Sequence, residues 1–126
     1  LLRAAERNLI DARVPAISAD TQFDAAYKAI MQCSMAALAA AGFRTSRSQP
    51  GHHQTAIHCL GMTLGTDTAT IILLDALRKK RNLSDYSGDP VSGAVVSTCI
   101  EAATSLLVET TRWISLRYPP CTGGGV

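Results

Sequence analysis

The sequence is poor in aromatic side chains, has no long apolar run and carries little net charge, and each shortage closes off a class of protein. Aromatics make up 5% of the 126 residues although 47% are hydrophobic, so Ala, Leu, Ile and Val carry the apolar mass. That suits closely packed helices better than a sandwich, which draws on aromatic and β-branched alternation. No apolar stretch reaches the roughly 18 residues of a membrane span. The first residues, with Arg3, Glu6, Arg7 and Asp11, lack a signal peptide's apolar centre, so a cytosolic protein with no membrane partner is expected. The sequence opens without Met, and a few preceding residues are expected in the full product. A formal charge of +2 is too small for electrostatic wrapping of nucleic acid. Any such contact must come from a local patch, and Arg78 to Arg81 is the one dense basic run.

Paired cysteines are also missing. Cys33, Cys59, Cys99 and Cys121 are far apart and form no C-x-x-C, which removes the spacing that a zinc site or a thioredoxin-like motif needs. Three of them fall within apolar helical patterns and read as small buried hydrophobes of a reducing compartment. The histidines do not supply a metal site either. His53 and His58 are i,i+5 and point about 140° apart on a helix, whereas paired ligands want i,i+3 or i,i+4. No metal and no cofactor is expected; His52 or His53 is expected to sit polar at a helix start.

What is present is helical periodicity. Leu2, Ala5, Leu9 and Ala12 predict a short amphipathic helix over about residues 2–13, stopped by Pro15. Ser18 or Asp20 can cap a second helix, which carries Phe23, Ala26, Tyr27, Ile30, Ser34, Ala37, Leu38 and Ala41 on one broad face before Gly42 ends it. Met31 and Met35 widen that face, so a central helix buried on several sides is expected, with the Tyr27 hydroxyl directed to a polar neighbour. Residues 43–51, with Arg44 and Arg47, read as a loop. A third helix of modest stability, weakened by Gly61, follows over HHQTAIHCLGMTLG. The fifth is expected to start at Asp89-Pro90 and to bury Val95, Val96, Cys99, Ala103, Leu106, Leu107, Thr110, Trp113 and Ile114. Pro119 and Pro120 forbid its continuation. The expected architecture is all-α, an up-and-down bundle of four to five helices over residues 1–118 as one domain, with 119–126 as a flexible tail.

The fourth helix, between the capping signal of Thr66 or Asp67 and Pro90, holds the candidate site. Its apolar run (Ile71, Ile72, Leu73, Leu74, Ala76, Leu77) is expected to take a place in the core, and it passes into Arg78, Lys79, Lys80 and Arg81, then Asn82, Asp85 and Tyr86. Leu74, Arg78, Arg81 and Asp85 share one side, and Arg78 with Asn82 and Arg81 with Asp85 are i,i+4 neighbours. Two readings compete. Basic residues favour a helix's negative end, by roughly 0.3–1 kcal/mol each when exposed, and Asp85 then simply answers Arg81. Alternatively Arg78, Arg81, Asn82, Asp85 and Tyr86 form a pocket for an anionic ligand such as a nucleotide phosphate, with Arg giving bidentate contacts and Tyr86 a stacking face.

The order of AAYKAIMQCSMAALAAAG, a Pro-Gly-His-His helix start, an apolar helix ending in LRKKRNLSDYSG and a long last helix resembles the HEPN domain, the higher eukaryotes and prokaryotes nucleotide-binding family. The resemblance covers nearly the whole chain. It is most specific at Arg78, Arg81, Asp85 and Tyr86, which look like the R-x-x-R-x-x-x-D-Y signature of its small prokaryotic branch. It implies a homodimeric bundle, a nucleotide or RNA ligand, and a minimal nucleotidyltransferase as partner in a toxin–antitoxin or stress operon. Ribonuclease members follow the Arg that Arg81 matches with four to six intervening residues and then a His. Here that window holds Tyr86, Ser87 and Gly88, and every histidine lies upstream. Imidazole moves a proton near neutral pH, which a phenol of pKa about 10 does poorly, and Asp85 beside two arginines is a weakened base. The leading expectation is therefore a non-catalytic bundle that binds a nucleotide, an RNA segment or a partner protein through Arg78, Arg81, Asn82, Asp85 and Tyr86. A ribonuclease using Arg81 with an atypical acid/base, such as His52 or His53, comes second, and an interaction module with an internal salt-bridge network third.

Overall fold

The computed structural model describes residues 2–43, 51–87 and 91–118, and among them every regular element is a helix. The chain forms α1 (Leu2–Ala12), α2 (Ala19–Ala40), α3 (His52–His58), α4 (Leu60–Thr63), α5 (Thr68–Ser87) and α6 (Gly93–Arg117). This is an all-α bundle, built from four longer helices and a short two-piece segment. The expected loop with Arg44 and Arg47, the Asp89-Pro90 start and the tail with Cys121 lie outside the described residues.

α2 is the axis of the bundle, in contact with each of the other five helices. Its alanines make that possible, because small side chains let neighbouring backbones come close on several sides. Phe23, Ala26, Tyr27, Ile30, Met31, Cys33 and Ala37 are all buried in the same core cluster. Ser18 caps its start by accepting a hydrogen bond from the Thr21 N–H at 3.2 Å, an interaction worth on the order of 1 kcal/mol. Its end is a Schellman turn: Gly42 takes φ 92°, and the Gly42 and Phe43 N–H groups donate to the carbonyls of Ala39 and Leu38. Asp20, the other capping candidate, instead accepts from the Val91 N–H at 2.8 Å and ties the start of α2 to the approach to α6.

α1 buries Ala5, Leu9 and Ala12, as its spacing predicts, against α2 and α6. The third helix is not continuous. It breaks at Cys59, whose carbonyl takes the N–H groups of both Met62 and Thr63 and also the Thr63 hydroxyl at 3.3 Å. A segment this short, with Gly61 inside it, is marginal as one continuous helix. α6 is capped by Ser92, which accepts from the Val95 N–H, so the helix starts at Gly93, later than the Asp-Pro signal suggests.

Contacts at the two ends give the directions. The start of α2 lies near the end of α5, where Asp24 meets Arg81, and its other end lies near the end of α6, where the Tyr118 hydroxyl donates to the Ala40 carbonyl. α2 and α6 thus run together and α5 runs against both. α5 packs on α2 and α3 and hardly touches α6. Its continuous apolar run therefore cannot all be inside, contrary to the expectation from sequence. Leu74 and Leu77 are buried, whereas Ile72 and Leu73 are 64% and 40% exposed.

Buried acids make the fold sensitive to alkali. Burial pushes the thiols of Cys33 and Cys99 up to about 12 from 9.0, and the Tyr27 phenol up to about 12 from 10.0. A folded pKa above the unfolded one means that the native state holds its protons longer. This contribution is complete below pH 9 and disappears as pH rises toward 12. Helicity followed by circular dichroism is expected to be level to about pH 9 and then to fall, with Cys33 and Cys99 reacting with a thiol reagent only as it falls.

Candidate functional site

The charged groups of α5 meet the first half of α2 and the start of α3. On α2, Asp24, Tyr27 and Lys28 share one side at i,i+3 and i,i+4 spacing. Arg81 reaches across to Asp24, with Nε and Nη2 each 3.0 Å from Oδ1, while Lys28 Nζ lies 3.1 Å from Oδ2. The Arg81 guanidinium also lies over the Tyr27 ring, 5.3 Å from its centroid. Tyr27 itself is buried, and its hydroxyl shares a 3.0 Å hydrogen bond with His53 Nδ1. The polar neighbour expected for Tyr27 is thus His53, held at the first turn of α3 after Gly51, which adopts φ 81°.

One turn earlier on α5 a second carboxylate gathers charge. Asp75 is buried and accepts from Arg78 Nε at 2.8 Å, with Lys79 Nζ at 3.4 Å and His58 Nε2 at 3.6 Å. The Arg78 hydrogen bond holds the Asp75 carboxyl below the usual carboxylate range in spite of its burial. Asp24 is lowered too: burial works the other way, but hydrogen bonds from Lys28 and Arg81 and their charges outweigh it.

Arg78 and Arg81 therefore have different circumstances, although the sequence presents them alike. The Arg78 side chain is only 16% exposed and points inward to Asp75, not along the strip to Asn82. The Arg81 side chain is 27% exposed at the rim, with the more open Lys28 beside it. Asn82 is exposed next to Arg81. The side chains of Asp85 and Tyr86 lie outside the described residues, although their backbone continues α5.

Asp24, Lys28, Tyr27 and Asp75 join this cluster without having been singled out for it from the sequence, whereas His53 was one of the two histidines named with Arg81. A signal existed for two of them. Asp24 and Asp75 are carboxylates on helices whose neighbouring positions are apolar, each with a cation three or four residues on. For His53 the sequence offered a place at a helix start but no link to Tyr27, because only the packing of α3 on α2 brings the two together. Lys28, Arg78, Lys79 and Arg81 gather, among the described residues, around two carboxylates, Asp24 and Asp75. Among the described residues, no group of His, Cys, Asp and Glu has the arrangement of a metal site.

Comparison of the chain with known protein families, with curated proteins and with solved structures finds no match.

Proposed function

We propose that this chain is a HEPN-like, homodimeric bundle that binds the phosphate of a nucleotide or of an RNA segment at the basic end of α5 without cleaving it. Arg81 is the main contact, supported by Asn82 and Tyr86, with the Asp85 carboxylate beside it as a competing charge, and Arg78 helps through the charge it brings. The observation that carries this reading is that, among the described residues, Lys28, Arg78, Lys79 and Arg81 gather around only two carboxylates beside Tyr27, with Arg81 at the rim turning Nε and Nη2 to the Asp24 carboxylate. A phosphate arriving there competes with Asp24 for the same guanidinium, which favours a ligand of more than one charge. A small nucleotidyltransferase encoded alongside is the partner that this reading anticipates.

One observation favours the ribonuclease reading as second. Tyr27 bridges Arg81 on its ring face and His53 at its hydroxyl, so an imidazole does belong to the same cluster. The test is a 5′-labelled single-stranded RNA incubated with the protein at low salt. Retardation without cleavage is expected. Cleavage that persists in wild type and vanishes in His53→Ala overturns the binding reading in favour of the second. Absence of both, with ADP and RNA equally inert, leaves the ion pairs as a structural network.

A further inference from the structure

α5 and α6 hardly touch, and at the head of α5 the space between them opens into a hollow of about 510 Å³ that the proposed site does not use. Ligand pockets typically enclose about 300–1,000 Å³, so the hollow has room for a small organic molecule. Leu64, Thr66 and Asp67, between α4 and α5, form one wall, and Glu109, Arg112 and Trp113 of α6 form the other. The first wall turns at Gly65, which adopts φ 74°. Trp113 packs on the core, and the Arg117 guanidinium lies 5.2 Å from its ring centroid, so the indole is held as a fixed apolar surface. Leu116, 74% exposed, extends that surface outward.

The polar groups of the hollow lack partners. Glu109 and Arg112 are i,i+3 neighbours, a spacing at which opposite charges readily pair, yet among the described residues neither they nor Asp67 form an ion pair. The Thr66 hydroxyl oxygen is closed off from solvent and has no hydrogen-bond partner among the described residues, a costly state that a polar group within the hollow would relieve.

We infer that the hollow binds a zwitterion with an apolar body, such as a free α-amino acid with an aromatic or branched side chain. Arg112 takes the carboxylate through two parallel N–H donors. Glu109, with Asp67 on the other wall, takes the ammonium, and the apolar body lies against Trp113. The lining calls for both charges at once. Two carboxylates and one guanidinium disfavour a simple anion, while a simple cation leaves Arg112 unmatched. An α-amino acid carries both groups on one carbon, and residues three apart on a helix, about 5–6 Å between Cβ atoms, present the two complements side by side. The site lies at the opposite end of α5 from Arg81 and does not depend on what Arg81 binds.

Trp113 is the single tryptophan of the chain, so its emission reports on the hollow directly. Titration of the full chain with L-phenylalanine is expected to change that emission saturably, with a dissociation constant on the order of 0.1 mM for so small a ligand. Phenethylamine, which lacks the carboxylate, and 3-phenylpropionate, which lacks the ammonium, are expected to bind at least about tenfold more weakly. Arg112→Gln should reduce affinity for L-phenylalanine to that of phenethylamine and leave phenethylamine unchanged. Glu109→Gln should reduce it to that of 3-phenylpropionate without weakening 3-phenylpropionate. Both positions are exposed, so circular dichroism should show unchanged helicity, and Arg81→Ala should bind as wild type does. No saturable change up to about 10 mM overturns the site. Either analogue binding as tightly as L-phenylalanine overturns the zwitterion. Wild-type affinity in both Arg112→Gln and Glu109→Gln, or loss of binding in Arg81→Ala, places the ligand elsewhere and overturns the assignment to this hollow.

Discussion

Arg81→Ala is expected to lower affinity for an oligoribonucleotide or nucleotide by about 10- to 100-fold. A charge-assisted hydrogen bond to a charged group is worth about 1.5–3 kcal/mol, and each 1.4 kcal/mol is tenfold in affinity. The salt dependence of RNA binding should flatten by about one unit on a log–log plot, since one phosphate neutralisation is removed. Arg81→Lys should recover part of the charge effect but not the bidentate geometry. The folding cost is expected to be smaller. The Asp24–Arg81 pair is partly exposed, which limits it to about 1 kcal/mol, with a similar contribution from the guanidinium over Tyr27. Fluorescence anisotropy with labelled RNA, together with urea unfolding of the same variant, separates the two effects. If affinity is intact while stability drops, Arg81 is a tie between helices and the binding reading is lost.

Asp75→Ala is expected to be the most damaging single change to stability, by about 3 kcal/mol, because it leaves Arg78 largely buried without its acceptor. Replacing both partners, as Asp75→Leu with Arg78→Met, should recover most of the loss, since the burial penalty of the charge goes with the charge. The effect must also depend on pH. The Asp75 carboxyl titrates below its ordinary 3.8 in the folded chain, so its contribution is present above that value and is lost as pH falls through the lower, folded one. Urea midpoints at pH 7 and near pH 3 should accordingly show the gap between wild type and Asp75→Ala narrowing in acid. A gap that stays constant would mean that Asp75 acts through packing and not through its charge.

Much of the fold was legible because each long helix states its own inward face. Ala5, Leu9 and Ala12 in α1, the Phe23 to Leu38 face of α2 and the Val96 to Thr110 stripe of α6 recur at the helical period, and they are the residues found buried. The expectation failed where a segment has no single face. Ile71 to Leu74 is apolar all round, so periodicity does not say which side is covered, and a helix at the edge of the bundle leaves Ile72 and Leu73 outside. At Cys59 the sequence offered only Gly61 as a weak point, and local propensity does not say at which residue so short a helix divides.

The candidate site was half legible for the same physical cause. Arg78 and Arg81 stand out in any reading of the basic turn, but their partners are set by which helices lie alongside. An i,i+3 partner such as Asp75 is available within the helix itself, so the Arg78 pair follows from local geometry. Asp24 is 57 residues from Arg81, and His53 is 26 from Tyr27; nothing in the sequence links either pair.

By itself, then, the sequence determined that the chain is helical, roughly where the long helices lie, which faces of α1, α2 and α6 turn inward, and that one helix carries a concentrated basic end. Those are properties of neighbours within a turn or two, governed by period, capping and propensity. Only the tertiary structure decided that Arg78 is enclosed while Arg81 stays at the rim, that a histidine joins them through Tyr27, and that α5 and α6 leave a groove between them. Each of these depends on side chains brought together from different helices, and the chain's local chemistry does not encode which helices become neighbours.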